Sequence, residues 1–272
     1  MKNNYYFNRS LGNIYIKPSV KSEVSSQILY GEKFSIISKN EKWVKIKTSY
    51  DRYIGYLKND KFIKNLKLTH KIFRLKSQVF KKLNNKFIPT NQFIYFASRI
   101  VLQNQSVNFI EFDKNQWVKK KDIKKINHVE KDFVKIFKLF LGTKYLWGGK
   151  SCDGIDCSAL VQMYYYYNNL FFPRDTKDQI KYCRKKSKKN YKPGNIIFWR
   201  GHVGICLKNN AFIHAYGPRK KVLIMKTENT IKLIKKTAKL EVKKICNINS
   251  FDSMFNFFFQ LPNKLYRRGC IF

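Results

Sequence analysis

Hydrophobic and polar positions alternate along the first quarter of the chain. In residues 24–62, VSSQILYGEKFSIISKNEKWVKIKTSYDRYIGYLKNDKF, short alternating runs follow one another. Turn-forming residues interrupt them at Tyr30-Gly31, at Lys39-Asn40 and between Ser49 and Arg52. Short strands separated by tight turns predict a small β-barrel over this part of the chain.

The alternation returns more faintly over residues 70–126. Segments such as KIFRLKSQVFKKL, QFIYFASRIVLQ and VNFIEF have the strand pattern, and Trp117-Val118 before Lys121-Asp122 repeats the end of the first unit. This predicts a second small β-domain of the same kind. A β-rich linker region is the alternative interpretation.

The period of the pattern changes from residue 129 onward. In VEKDFVKIFKLFLG the apolar residues fall at helical spacing, and Gly142 is placed to end the helix. A second helix is predicted to start at Cys157, and Thr176 with Gln179 has the form of a capping box that opens a third. Four strand patterns follow, namely NIIFW, HVGICL, AFIHAY and KVLIM. Helices followed by antiparallel strands predict an α+β domain.

These patterns divide the chain into three predicted domains. Residues 1–67 and 68–127 are the two small β-domains, and residues 128–272 are the α+β domain. Near the end of the chain, TIKLIKKTA has helical spacing with a basic face, for which a solvated lysine face is the favoured interpretation. The later segment KLYRRG is a candidate edge strand.

Composition narrows the class of protein. The 272 residues are 44% hydrophobic, which is ample for buried cores. No run of about 18 apolar residues occurs, so no membrane partner is expected. The opening residues MKNNYYFNRSLGNIYIK have neither the apolar segment nor the cleavage site of a signal peptide, and we therefore expect a cytoplasmic location.

The net charge of +39 changes this picture little. A basic surface attracts polyanions, but the lysines are spread over the whole length among Asn, Ile, Phe and Tyr. A general compositional bias is the favoured interpretation, and no nucleic-acid partner is expected. Binding to an acidic polymer stays as the alternative, and the oligomeric state is left open.

The cysteines and histidines are few enough to consider singly. The six cysteines are Cys152, Cys157, Cys183, Cys206, Cys246 and Cys270. They form no CxxC pair, and in a long chain without an export signal they are expected to be reduced thiols. The four histidines are His70, His128, His202 and His214. No cluster has metal-ligand spacing, so neither a metal nor another cofactor is expected.

The motifs of this chain resemble those of two protein families. Gly31-Glu32, Trp43 and Gly55-Tyr56-Leu57 occupy positions similar to the marks of a bacterial SH3-like domain. From about residue 130 to 225, the order GTKYLWGG, DGIDCSALVQ, FPRDTKDQ, KPGNIIFW, HVGICL and FIHAY resembles the NlpC/p60 family of papain-like cysteine peptidases. The preceding SH3-like units are similar to those of its γ-D-glutamyl-L-diamino acid endopeptidase branch (dipeptidyl-peptidase VI type), which cuts peptidoglycan stem peptides.

The chemistry of the residues also indicates a cysteine nucleophile. A cysteine attacks as thiolate, and the start of a helix is expected to lower the pKa of Cys157. It needs a base and a group that orients the base. His202 and His214 lie in neighbouring strand patterns and can meet on one sheet face. The resemblance implies the same roles, with Cys157 as nucleophile, His202 as base and His214 as its orienting partner.

The resemblance also implies residues that bind the substrate. Tyr145 is expected to face the nucleophile and help to hold the oxyanion, together with the backbone N–H of Cys157. Asp156 and Ser158 are expected to bind the free α-amine of the first substrate residue. Tyr53, from the first β-domain, is expected to close the site, and we include Trp147 among the substrate-binding residues.

Some matched residues are interpreted as structural, and others depart from the family pattern. Arg174 and Asp175 are expected to tie a loop or cap the third helix. Ala159 replaces the usual Gly after Cys-Ser and favours helix. Asn195 replaces the usual Asp before the first strand, which puts any role of charge there in doubt.

The expected fold is therefore α+β, a papain-like NlpC/p60 domain preceded by one or two small β-barrel domains. The expected function is hydrolysis of the bond between γ-D-Glu and the diamino acid in murein stem peptides with a free N-terminal L-Ala, for cell-wall recycling. Two alternatives remain. One is a hydrolase acting on intact peptidoglycan outside the cell, and the other is a non-catalytic module that binds an anionic polymer.

Overall fold

The computed structural model describes residues 4–183 and 191–250 of the chain. The candidate edge strand KLYRRG and Cys270 lie outside these residues. Along the described ranges, a β-rich part precedes a part in which four α-helices and a five-stranded sheet pack together. This is the predicted α+β organisation. None of the helices in these ranges has the length and apolar character needed to cross a membrane.

The first region is a single antiparallel sheet in the order β3-β2-β6-β5-β4-β1-β7. Its strands are β1 (Asn4–Tyr6), β2 (Leu11–Tyr15), β3 (Val24–Leu29), β4 (Lys33–Lys39), β5 (Trp43–Thr48), β6 (Ile54–Lys58) and β7 (Ile63–Lys64). Alternate residues of β5 are buried, including Val44 and Ile46, and they pack against Phe34 and Leu57. The predicted alternation is confirmed here. Gly55 is needed for close packing, since a Cβ atom there would lie 2.4 Å from a methyl group of Ile14.

The second region is also β-structure and has its own core. Its strands are β8 (His70–Ile72), β9 (Lys76–Leu83), β10 (Lys86–Tyr95), β11 (Arg99–Ile100), β12 (Asn104–Gln105), β13 (Phe109–Asp113), β14 (Gln116–Lys119) and β15 (Ile123–Lys125). They form two sheets, ordered β10-β9-β14-β13-β12 and β11-β8-β15. Ile72, Val79, Ile94 and Val118 fill the space between them. That this region is a second SH3-like domain stays a prediction, as do the domain boundaries.

The third region contains the helices. Its elements are α1 (Phe133–Leu139), β16 (Lys150–Ser151), β17 (Gly154–Ile155), α2 (Cys157–Tyr167), α3 (Thr176–Tyr182), β18 (Asn195–Trp199), β19 (His202–Cys206), β20 (Ala211–Tyr216), β21 (Lys221–Lys226), α4 (Thr227–Ala238) and β22 (Lys244–Asn247). Single 3₁₀ turns lie at Lys120–Asp122, Gly217–Arg219 and Ile248–Ser250. The sheet order is β21-β20-β19-β18-β22, all antiparallel. The predicted strands, the first two helices and the basic helix near the end are confirmed.

Helix α2 is the centre of the molecule. Its sequence CSALVQMYYYY carries no charge, and every one of its residues is buried, as expected for a helix that is apolar on all sides. One side packs on sheet residues such as Val203 and Ile213. Tyr166 meets Tyr50 of the first region, with ring centroids 4.7 Å apart, and Tyr167 stacks on Phe96 of the second region. All three regions therefore hold the helix that begins with Cys157.

One expectation is wrong. Thr176 is the first residue of α3 and does not cap it, since Asp175 precedes it and makes no side-chain capping bond. The side chain of Gln179 instead joins α3 to α2 by donating to the Ser158 carbonyl at 3.0 Å. Cys183 and Cys246 lie side by side with their Cα atoms 6.1 Å apart, within reach of a disulfide, and that they are reduced thiols stays a prediction.

Candidate active site

Cys157 is the first residue of α2. Asp156 precedes the helix and caps it, because its carboxylate accepts the Ala159 N–H at 2.8 Å. The Cys157 sulfur lies 3.9 Å from the carbonyl oxygen of Gly201. The backbone N–H of Val203 is near enough to the sulfur to favour its thiolate form. The nucleophile therefore lies beside the main chain on both sides of His202.

The Cys157 thiol is neutral near pH 7, contrary to the expectation that the start of the helix lowers its pKa. Burial raises the pKa of Cys157 to about 11, and the adjacent Asp156 carboxylate acts in the same direction. The Val203 N–H, the Thr176 hydroxyl and the Arg174 charge act against this rise and are outweighed. Since the nucleophile must be a thiolate, a base has to remove its proton during attack.

His202 and His214 form the predicted pair on one face of the sheet. Nε2 of His202 lies 2.9 Å from Nδ1 of His214, and the ring of His214 stacks on Tyr216 with centroids 4.8 Å apart. Burial lowers the pKa of His202 to about 4 and that of His214 to about 3, and the charge of His202 further lowers the latter. Both imidazoles are therefore neutral near pH 7.

The contact between the two rings restricts their tautomers. If Nδ1 of His202 is to accept a proton, its Nε2 must carry hydrogen and donate to Nδ1 of His214. The proton of His214 then sits on Nε2, which is buried and has no hydrogen-bond partner within the described ranges. No hydrogen bond joins the thiol directly to the His202 ring among the described contacts. Such a contact commonly forms only in the substrate complex.

Asp156 is fully engaged inside the protein. Its carboxylate receives two bonds from the Arg174 guanidinium, at 2.6 and 3.0 Å, and one from the Gly148 N–H at 3.0 Å. The Ser158 hydroxyl donates to it at 2.9 Å and accepts from Arg174. Arg174 is buried and also donates to Ser26 of the first region at 3.0 Å. Arg174 therefore joins the first region to the start of α2, and its partner Asp156 is a residue expected to bind substrate.

A cavity of about 450 Å³ opens beside the nucleophile. The described residues that line it are Ile16, Glu23, Ser25, Tyr53, Ile54, Trp147, Asp156, Cys157, Ser158, Asp175, Thr176, Lys177 and Gly201. The first five come from the first region, so that region forms one wall of the pocket. Tyr53 donates its hydroxyl to the Ser25 carbonyl at 3.3 Å. The Nε1 of Trp147 donates to Glu23 at 2.5 Å, which joins the two walls.

Tyr145 lies next to this cavity without being one of its described lining residues. Its backbone is held between Ile155 and Lys220, and its ring lies close to Gly217. Burial raises the pKa of Tyr145, and the proximity of Cys157 adds to the effect. The hydroxyl therefore stays protonated and is able to donate a hydrogen bond.

Most of the predicted site residues come together. Cys157, Asp156, Ser158, Tyr53 and Trp147 line one pocket. His202 follows Gly201, whose carbonyl oxygen lies 3.9 Å from the Cys157 sulfur, and His214 adjoins His202, while Tyr145 is near enough to Cys157 to feel its charge. Sequence reasoning missed the acidic groups Glu23 and Asp175 and the basic group Lys177. Burial raises the pKa of Asp175, although the charges of Arg174 and Lys177 lower it. Within the described ranges, no group of three or more histidine, cysteine or acidic side chains could hold a metal.

Comparison with known proteins agrees with this geometry. Residues 142–239 match the model of the NlpC/P60 family, and residues 14–62 match that of the bacterial dipeptidyl-peptidase SH3 domain. The chain is 25% identical over 230 residues to dipeptidyl-peptidase 6 of Lysinibacillus sphaericus, covering 75% of this chain and 84% of the relative. It is 24% identical to the γ-D-glutamyl-L-lysine dipeptidyl-peptidase of Bacillus subtilis, covering 76% and 77% respectively.

A solved structure shares the fold. The crystal structure of an NlpC/P60 family protein from Bacillus cereus superposes with a TM-score of 0.74 at 17% identity. The match covers 90% of this chain and 99% of the other. The β-rich regions and the helical region are therefore all part of the shared architecture.

Proposed function

Because the chain carries an NlpC/P60 cysteine peptidase domain behind a bacterial dipeptidyl-peptidase SH3 domain, we propose that it hydrolyses the γ-D-glutamyl–diamino acid bond of murein stem peptides and releases L-Ala-γ-D-Glu. The observation that carries the proposal is the pocket. Cys157 lines it, a neutral histidine pair begins one residue after Gly201, which contacts the Cys157 sulfur, and the SH3 domain supplies one wall. The names of the two relatives, both dipeptidyl-peptidases, support the same reaction class.

The reaction proceeds by acyl transfer. The Cys157 sulfur attacks the γ-carbonyl carbon of D-Glu, while Nδ1 of His202 takes the thiol proton. The resulting imidazolium is stabilised by His214 and gives its proton to the departing amine of the diamino acid. A water molecule, deprotonated by His202, then hydrolyses the thioester and restores the thiol.

Negative charge develops on the carbonyl oxygen during both steps. The backbone N–H of Cys157 and the protonated hydroxyl of Tyr145 are the proposed donors to this oxyanion. The Cys157 N–H is available because the first backbone N–H groups of a helix have no partner within the helix. The Thr176 side chain lines the same pocket as Cys157 and stabilises its thiolate form.

The amine of the substrate is proposed to bind to Asp175 and Glu23 rather than to Asp156. The Asp156 carboxylate is already neutralised by Arg174 and accepts bonds from Gly148, Ser158 and Ala159. Asp175 and Glu23 are acidic, line the same pocket and stand on its opposite walls. Ile16 and Ile54 provide an apolar surface for the alanine methyl group, and Tyr53 limits the length of chain beyond it.

The recycling role and a cytoplasmic location belong to this proposal. We propose that Tyr53, Glu23 and Asp175 in the pocket favour short peptides with a free amine over crosslinked polymer. Cys183 and Cys246 lie within reach of a disulfide, which would be more typical of an oxidising compartment. Fractionation of cells, with trapping of free thiols before lysis, separates the two: a soluble cytosolic protein with both thiols reduced supports the proposed location, and an exported, oxidised protein contradicts it.

The test of the reaction is hydrolysis of L-Ala-γ-D-Glu-L-Lys and of its meso-diaminopimelate counterpart by the purified protein. Each peptide is compared with its N-acetylated form and with intact peptidoglycan, and Cys157→Ala is the inactive control. We expect cleavage of free-amine peptides alone. Equal cleavage of acetylated peptides would refute the amine site, and release of peptides from intact wall would favour the wall-acting alternative. Absence of any cleavage would refute the proposed function.

A further inference from the structure

Lys177 is the only positively charged residue among the described residues that line the active-site cavity. The cavity otherwise contains the acidic residues Glu23, Asp156 and Asp175, of which Asp156 is paired with Arg174 behind the wall. Lys177 is exposed and belongs to the first turn of α3. A cation at this position would repel an ammonium group, so a pocket that binds only the substrate amine does not explain Lys177.

The position of Lys177 in the chain places it close to the nucleophile. Thr176 directly precedes it, and Thr176, Lys177 and Cys157 line the same cavity; the Thr176 side chain is near enough to Cys157 to lower the pKa of the thiol. The α-carbons of Lys177 and Thr176 are about 3.8 Å apart, as in any trans peptide. The flexible four-carbon stem of a lysine therefore lets its ammonium reach a group that lies a few bonds from the carbonyl under attack.

The proposed substrate carries such a group. In a γ-linked glutamyl residue the side-chain carboxyl forms the scissile bond, so the α-carboxylate stays free a few bonds from the reacting carbonyl. This residue therefore brings one negative charge to the pocket, and the terminal amine brings one positive charge. The acidic residues Glu23 and Asp175 match the amine, and Lys177 matches the carboxylate.

We propose that Lys177 binds the free α-carboxylate of the γ-linked acyl residue and so selects acidic substrates over those in which this carboxyl is amidated. The inference rests on the proposed function, because it assigns a residue to a group of that substrate. An exposed ion pair contributes up to about 1 kcal/mol, and this contribution is lost when the ammonium faces a neutral amide. We therefore expect a preference of up to about fivefold in kcat/KM for the carboxylate form, which corresponds to about 1 kcal/mol.

The experiment compares L-Ala-γ-D-Glu-L-Lys with the same peptide bearing an α-carboxamide. The variants are Lys177→Met, Lys177→Arg and Lys177→Glu, with Lys181→Met as the matched control. Lys181 is exposed on the same helix and lies 3.6 Å from Asp178, away from the described lining of the cavity.

The variants should differ in how they treat the two peptides. Wild type, Lys181→Met and Lys177→Arg should all prefer the carboxylate peptide. Lys177→Met should cleave both peptides at the rate at which wild type cleaves the α-carboxamide peptide, and Lys177→Glu should prefer the α-carboxamide peptide. The preference should also weaken as salt concentration rises. Equal cleavage of both peptides by wild type, or an undiminished preference in Lys177→Met, would overturn the inference alone. Cleavage of neither peptide by wild type would overturn the proposed function and the inference with it.

Discussion

The two β-rich regions both hold helix α2 but do so with different polar chemistry. In the first region, Ser26 accepts from Arg174, the partner of Asp156, and Asp51 accepts from Gln162 in the middle of the helix at 2.9 Å. Tyr50 of this region also packs on Tyr166. The second region contacts the C-terminal end, where Lys71 donates to the Tyr167 carbonyl and Arg99 donates to that of Tyr166 at 3.4 Å.

The difference between the two sets of polar contacts is one of function. Those of the first region surround the nucleophile and continue into the pocket wall. In those of the second region, basic side chains donate to carbonyl groups at the C-terminal end of the helix, and the described pocket lining contains no residue of the second region. The first region therefore builds the site, whereas the second supports the helix that presents it. The predictions below test this division.

The largest effect is expected from Arg174→Gln. The substitution leaves the Asp156 charge unpaired beside Cys157, so the pKa of the thiol rises further and kcat/KM falls roughly 100-fold, about 3 kcal/mol in the barrier. The pH dependence of alkylation of Cys157 by iodoacetamide measures the change in pKa directly. The variant Arg174→Lys keeps a positive charge beside Asp156 and should therefore lose less kcat/KM than Arg174→Gln.

The matched control for Arg174 is Glu32→Gln. It breaks the other buried ion pair, in which Lys150 and Glu32 lie 2.7 Å apart. Removing one partner of a buried pair costs about 3–5 kcal/mol in either case. Only the Arg174 variant should move the alkylation profile, and an equal shift in both variants would show that the effect is merely structural.

The histidine pair should make the protein sensitive to acid. The pKa values of His202 and His214 are lowered in the folded state, so the unfolded chain binds more protons below about pH 6.5. The free energy of unfolding should therefore fall as pH decreases from 6.5 towards 4, by up to about 1.4 kcal/mol per pH unit for each histidine.

Urea unfolding at several pH values measures this slope. The double variant His202→Asn, His214→Asn should lose most of the slope. His70→Asn, in the second region, should lose little of it, because His70 is only partly buried. A slope that survives the double variant would show that other groups cause the acid sensitivity. In the wild type, kcat/KM should decline only near pH 4, where His202 becomes protonated.

Tyr53 and Tyr95 offer a matched pair of substitutions in the two regions. Tyr53→Phe removes a hydroxyl from the pocket wall and should lower kcat/KM for the free-amine peptide about tenfold. Tyr95 donates its hydroxyl to Asp153 in the loop before Cys157, and Tyr95→Phe should change kcat/KM by less than about twofold. A larger loss in Tyr95→Phe than in Tyr53→Phe would contradict the division between the regions.

The smallest effect on activity is expected from Lys71→Met. Burial lowers the pKa of Lys71 to about 7, and Arg99 adds to the effect, while the unfolded value is about 10.4. The unfolded chain therefore binds more protons between these values, and the free energy of unfolding of the wild type rises with pH from 7 to 10. The variant should show a smaller rise and an unchanged kcat, and a changed kcat would assign the second region a role in the site.

Much of the fold could be predicted because its signals are local. Alternation in the strands around Val44 and Ile46 and the uncharged run after Cys157 depend only on neighbouring residues. The pair His202 and His214 could be inferred because consecutive antiparallel strands lie side by side. These signals identify the nucleophile and its base.

The remainder of the site arises from tertiary packing. Arg174 follows Asp156 by 18 positions and reaches it only because the chain folds back after α2. Glu23 comes from another region of the molecule and enters the pocket through its bond to Trp147. The direction of the Cys157 pKa shift was also missed, because the start of a helix can be recognised in a sequence but the depth of burial cannot.

The bond between Trp147 and Glu23 has a practical consequence in spectroscopy. The side chain of Trp147 is 60% exposed, whereas Trp117 and Trp199 are almost fully covered at 6% and 1%. A peptide that enters the cavity would shield this indole from solvent and bring its ammonium close to the carboxylate that the indole N–H contacts. Intrinsic fluorescence of the inactive Cys157→Ala protein should therefore shift to shorter wavelength on binding, which gives occupancy of the pocket without any chemical label.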